Sequence, residues 1–157
     1  MTAGTGELAA RIGAFLDAHH VMALATVGDD GAHAASVMFA RAGFTLYWTS
    51  DPQSRHSAHL ERDARVTATI APDYTDFSVI RGLQIAGRAR RLGGAESDAA
   101  RAALVARYAF LAALASGPPK LRAAFEQAAF YALAPARIAL IDNTLGFGHK
   151  ETLTLAG

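Results

Sequence analysis

Cysteine is absent from the 157 residues, which excludes disulfides, thiol catalysis and cysteine-built metal centres. Charge of one sign is scarce too: 15 Lys and Arg stand against 14 Asp and Glu, a formal net charge of +1. A nucleic-acid surface or a patch for acidic membranes needs a cationic excess, so neither partner is expected. No apolar run has the length of a membrane span, and no basic segment followed by an apolar block marks the N-terminus. The cytoplasm is the expected location. A glycine-rich dinucleotide loop is missing, so a nicotinamide would act as a diffusing substrate. Internal repeats and low-complexity linkers are missing as well.

What is present is core-forming material. Hydrophobic residues make up 52% of the chain and charged residues 18%, enough to bury a sizeable core in one domain spanning 1–157. Leu8, Ile12, Phe15 and Leu16 recur at helical spacing, which predicts an N-terminal helix over about 7–19. Strands are predicted at 21–27, 33–40 and 44–49, joined by Gly28-Asp29-Asp30-Gly31 and by a turn at Arg41 to Gly43. Their short polar connections predict an antiparallel meander. Further strands are expected at 65–71, with Val66, Ala68 and Ile70 on one face, at 77–91 and at 131–141, and a short one at 152–155. Gly82, Gly87 and Pro135 mark bulges, corners or edges. Two helices are expected between 96 and 129 as an insertion packed outside the strands. The pattern is mainly β with flanking helices: six or so antiparallel strands in a small barrel.

The stretch from Tyr47 to Leu60 organises the chain. Tyr47, Trp48 and Thr49 end a strand, Asp51-Pro52 breaks it, and Ser54-Arg55-His56 opens a short helix. Hydroxyls from Thr49, Ser50 and Ser54, a guanidinium and an imidazole thus gather at a helix N-terminus. That combination suits a phosphate, through unpaired N–H groups, the helix dipole and charge-assisted donors. Helix capping plus an ordinary surface charge is the simpler reading of the same residues. His56 and His59 lie one helical turn apart, a spacing able to hold a metal. No carboxylate or cysteine close in sequence completes a set, and no metal is assigned.

These motifs, in order, resemble a known family. Ala25 to Gly31, Ala35 to Phe39, Tyr47 to Ser50 and Ser54-Arg55-His56 resemble the flavin-binding half of the pyridoxamine 5′-phosphate oxidase-like split-barrel proteins. Ile80 to Gly87, Arg90-Arg91-Leu92 with Glu96 and Asp98, and Asp142 to Gly148 resemble a branch of small bacterial proteins within it. The resemblance implies a six-stranded antiparallel split β-barrel and a homodimer with FMN in a groove at the subunit interface. It places the backbone of Ser36, Val37, Met38 and Phe39 against the flavin ring. It places Thr49, Ser50, Ser54, Arg55 and His56 on the phosphate or ribityl chain. Gln84 is a contact to the ring's polar edge or an ordinary cross-strand glutamine, and Asn143 to Gly148 is a turn or a segment reaching the partner.

The chain also departs from the vitamin B6 oxidases. They carry an arginine and a lysine on the strand matching Ala35 to Ala40, where this chain offers only the nearby Arg41. His56 stands where a lysine usually follows the arginine. Their C-terminal substrate-binding segment is not visible, so weaker phosphate binding and a different small-molecule substrate are expected. The implied activity is that of a flavin-dependent oxidoreductase, with hydride moving between flavin N5 and a small substrate or nicotinamide. No catalytic residue is assigned: His33, His56 or Tyr74 could shuttle a proton, and the sequence does not select among them. The alternative is a non-catalytic dimer that senses or carries flavin or haem; a deazaflavin, or no ligand, completes the range within this fold.

Overall fold

The structure, a computed structural model, describes residues 3–156. Helix α1 (Ala3–Ala18) leads into strands β1 (Val21–Gly28), β2 (Gly31–Met38), β3 (Ala40–Ala42) and β4 (Thr45–Ser50). Helix α2 (Arg55–Arg62) precedes β5 (Arg65–Ile70) and β6 (Arg81–Arg91). Helices α3 (Gly94–Arg107), α4 (Ala109–Leu114) and α5 (Pro119–Gln127) precede β7 (Ala129–Asp142) and β8 (Lys150–Thr154). Among the described residues, no helix is long and apolar enough to cross a membrane.

All eight strands join one antiparallel sheet in the order β2-β1-β5-β6-β7-β4-β3, with β8 paired to β7. Two differences from the sequence reading follow. The described residues form eight strands where seven segments were read, because Arg41 and Ala42, read as turn, pair with β4 in the short strand β3. The expected meander also divides: β1 and β2 form a hairpin, while β4 pairs with β7, more than eighty residues distant in sequence from Trp48. Local turn chemistry specifies the hairpins, but only the closing sheet specifies which strand receives β4.

β7 is where the sheet bends. Its first part pairs with β4 from Ala129 to Leu133, and its last part pairs with β8 from Arg137 to Ile141. Pro135 lies between, where a missing N–H costs no ladder bond. Opposite it, the β6 register shifts between Ala86 and Gly87, and a Cβ on Gly87 would lie 2.2 Å from the Ala134 carbonyl oxygen. Only glycine admits so close a backbone.

Alternation along the strands fills the interior. Val66, Ala68 and Ile70 point inward as expected, joining Met22, Leu24, Leu46, Trp48, Leu83, Ile85, Tyr131 and Leu133. Leu8, Ile12 and Leu16 of α1 pack into that same core. A second core forms where α3, α4 and α5 lie against β4 and β7, around Leu104, Tyr108, Leu111, Phe125 and Phe130. The region read as two helices contains three, since the chain breaks again at Tyr108. Residues 77–79, read as strand, form a 3-10 turn capped by the Asp76 carboxylate.

Arg107 ties these layers together. Its guanidinium donates to the carbonyls of Leu16, Asp17 and His19 at the end of α1 and to that of Phe39 after β2. A cation at a helix C-terminus answers the unpaired carbonyls and the dipole at once.

Candidate functional site

The connection from β4 to α2 forms as its sequence dictates. Ser54 is the N-cap of α2, and its Oγ accepts from the Ser57 N–H at 3.3 Å. Asp51 holds the preceding turn by accepting from the Gln53 N–H at 2.8 Å. Ser54 Oγ also donates to Ser57 Oγ at 2.7 Å. Ser50 closes the other side, its Oγ 2.8 Å from His56 Nε2, while Ser54 Oγ lies 3.3 Å from that same nitrogen. Which group donates follows the His56 tautomer: with Nε2–H as donor, the Ser50 hydroxyl proton is left for a ligand, and with Nε2 as acceptor, Ser50 donates to it.

Arg55 and His59 both run to the β1–β2 turn. Arg55 Nε reaches Asp30 Oδ2 at 2.7 Å, and His59 Nε2 lies 2.7 Å from Asp30 Oδ1. His59 Nδ1 lies 3.0 Å from Thr26 Oγ1, which secures the buried imidazole at both nitrogens. The hydrogen bond from His59, joined by that from Arg55, holds the Asp30 carboxyl below the usual carboxylate range. The spacing of His56 and His59 therefore does not make a metal site. Among the described residues, no group of three or more His, Asp or Glu gathers to hold a metal ion.

His56 has a different neighbour. Its ring stacks on that of His33 from β2, with centroids 6.3 Å apart and planes 5° from parallel. Burial, reinforced by His33 and His59, pushes the His56 pKa down from 6.5 and favours the neutral ring.

The other expected contacts divide. Ser50, Ser54 and His56 converge, while Arg55 beside them turns its guanidinium to Asp30. Thr49 does not present a free donor, because its hydroxyl donates to the Ala129 carbonyl at 3.0 Å. Ser36 and Met38 are exposed on β2, which lies at the sheet edge and leaves alternate backbone groups unpaired. Val37 is nearly buried, and Phe39 is fully buried. The Phe39 backbone is also occupied: its N–H donates to the His20 carbonyl, and its carbonyl accepts from Arg107 and Tyr108. Both polar groups of the Phe39 backbone are thus taken within the chain. Arg41, the nearby cation, grips both oxygens of Asp17 at 2.7 Å.

Gln84 is not brought to this cluster within one chain. It lies on the outer sheet face, three strands from β2, in a row that reads Ser36, Ala23, Thr69, Gln84, Ala139, Thr152. The next row reads Ala34, Ala25, Thr67, Ala86, Arg137, Thr154. These two rows are small-chained, with Arg137 their one charge, while Arg65, Arg88 and Lys150 stand on the same face in the rows beside them. Sequence reasoning missed Asp30, a turn residue by its reading, and named His33 as a proton shuttle beside His56 and Tyr74 without selecting among them. Only the β1–β2 hairpin folding against α2 joins Asp30 and His33 to the cluster.

The antiparallel sheet with its flanking helices agrees with one protein family. Residues 8–142 match the family model described as pyridoxamine 5′-phosphate oxidase. This chain belongs to that family. It is 31% identical to a UPF0306 protein of Klebsiella pneumoniae (strain 342), over 92% of this chain and 91% of that one. It is 34% identical to the UPF0306 protein YhbP of Salmonella paratyphi A, over 74% of this chain and 71% of the other. Among solved structures, a putative pyridoxamine 5′-phosphate oxidase of Listeria innocua superimposes with a TM-score of 0.66 at 20% identity, covering 85% of this chain and 97% of that one. A heme binding protein from Mycobacterium smegmatis gives a TM-score of 0.73 at 24% identity; 98% of this chain spans 59% of that longer one. The structural likenesses show the split-barrel fold, with its antiparallel sheet curled into a half-barrel and helices at its flanks.

Proposed function

We propose that this protein is an FMN-binding homodimer that acts as a flavin-dependent oxidoreductase on a small molecule. One observation carries the reading: in a chain of this family, Ser50, Ser54 and His56 converge at the start of α2, next to Arg55 and to His33 of the edge strand β2. Their polar groups fit a phosphate monoester. Two hydroxyls meet the His56 ring edge, and Arg55, half exposed, uses one side of its guanidinium on Asp30 and keeps further N–H donors. Flavin, when bound, supplies hydride chemistry at N5. The chain's own residues supply placement: Ser50, Ser54, Arg55 and His56 hold the phosphate end, and the β2 backbone at Ser36 and Met38 lies along the ring.

The small, uncharged end of the outer face supports a dimer, since a second copy would cover Ala23, Ala25 and Thr69 without burying a charge there. Gln84, on that same face, then joins the site from across the interface.

The test is an absorbance spectrum of the purified protein, repeated after incubation with FMN and desalting. Retained flavin bands that bleach with reduced nicotinamide support the oxidoreductase. Retained flavin that resists reduction points to a carrier. A Soret band directs the assignment to haem, the ligand named for the Mycobacterium smegmatis relative. No chromophore in any trial removes the flavin reading.

A further inference from the structure

His33 is half buried on β2 and forms no hydrogen bond with the described residues, yet its ring lies parallel to that of His56. It also meets His59 edge-on, with centroids 6.0 Å apart. Two stacked imidazoles raise the question of what balances them if one gains a proton. Around His56, α2 presents Ser54, Arg55 and His59, β4 presents Ser50, β2 presents His33, and the β1–β2 turn presents Asp30. Asp30 is the only carboxylate in that set, and its oxygens are already held, Oδ1 by His59 and Oδ2 by Arg55. The His33–His56 pair therefore has no hydrogen-bonded carboxylate of its own among the described residues. It is an imidazole pair without a counter-ion, at the mouth where Ser50 and Ser54 present hydroxyls.

We propose that His33 and His56 together form a proton-accepting phosphate subsite, in which binding of a phosphate monoester dianion draws one proton from solvent onto the imidazole pair. The inference rests on the FMN reading and adds to it a residue, His33, and a linkage to pH. In the free protein, burial, reinforced by His33 and His59, favours the neutral His56 ring. A dianion beside the two rings reverses the sign of the local field, and the proton taken up lets them do the work of a fixed cation. The lysine that usually follows the arginine of this motif needs no such uptake. The consequence is selectivity for phosphorylated over unphosphorylated ligand that is strongest on the acid side of neutrality.

The experiment is a fluorescence titration of the full chain with FMN and with riboflavin at about pH 6.5 and about pH 8.5, where the phosphate stays largely dianionic. Uptake of one proton predicts FMN binding about tenfold weaker at the higher pH, with riboflavin changed less than about twofold. His33→Gln is expected to weaken FMN about fivefold at the lower pH and to leave riboflavin, and FMN at the higher pH, within about twofold. Histidine C2–H resonances, followed through a pH titration, are expected to show the His56 midpoint moving up when FMN is added. Equal FMN affinity at both pH values, or a His33→Gln protein that titrates as wild type, overturns the proposal while leaving FMN binding in place. If neither flavin binds, the FMN reading fails, and the same resonances titrated with inorganic phosphate decide the subsite: an upward His56 shift supports it, and no shift overturns it.

Discussion

Gly28 lies against the imidazole of His59, where a Cβ on residue 28 would meet Cδ2 at 2.4 Å and Nε2 at 2.5 Å. The ring cannot retreat without breaking its hydrogen bonds to Thr26 and Asp30, and Asp30 in turn holds Arg55. Gly28→Ala should therefore destabilise the fold by about 1–3 kcal/mol and loosen Arg55 at the same time. Urea unfolding measures the first effect; an unchanged midpoint would show that the β1–β2 turn yields freely.

Arg107 supplies donors to four backbone carbonyls at the junction of α1, β2 and α3. Arg107→Ala leaves those groups without partners, partly away from water, and should cost about 2–3 kcal/mol. Lysine, a compact charge without the planar fork, should recover less than half of the loss. Thermal melts of the two variants give the comparison.

Acid should weaken the fold in two windows. The His56 pKa lies below its ordinary 6.5 in the folded chain, so the unfolded chain binds more protons there and stability falls as pH drops through that range. Asp63, paired with Arg65, is lowered from 3.8 to about 2, and its contribution, present above the unfolded value, disappears as pH falls through the folded one. His56→Gln should flatten the first window and spare the second. Denaturation midpoints collected from neutral pH downward would show this, and a variant curve parallel to wild type would refute the assignment to His56.

Ala23 lies on the outer face one strand in from the β2 edge, between Ser36 and Thr69. Ala23→Glu would bury a charge in the proposed dimer interface, whereas in a monomer the carboxylate stands in water. The expected result is a monomer with an unaltered far-ultraviolet circular dichroism spectrum. Sedimentation velocity separates the cases, and a wild-type chain that sediments as a monomer would remove the dimer from the proposed function.

The sequence by itself determined what depends on near neighbours. Alternation at Val66, Ala68 and Ile70 gave the inward face of β5, since a two-residue period follows from strand geometry. Ser54 was legible as a helix cap because its partner, the Ser57 N–H, lies three residues away. Gly87 and Pro135 were legible as irregularities, though not as opposite halves of one bulge. Only the tertiary structure decided relationships across long separations. Pairing of β4 with β7, capture of Arg55 by Asp30, stacking of His33 on His56 and the reach of Arg107 across α1 all join residues whose separation carries no periodic signal. Thr49 and Phe39 make the same point in reverse. Both residue types suit a binding site, but the hydrogen bonds that engage them, to Ala129, His20, Arg107 and Tyr108, exist only after the sheet has closed.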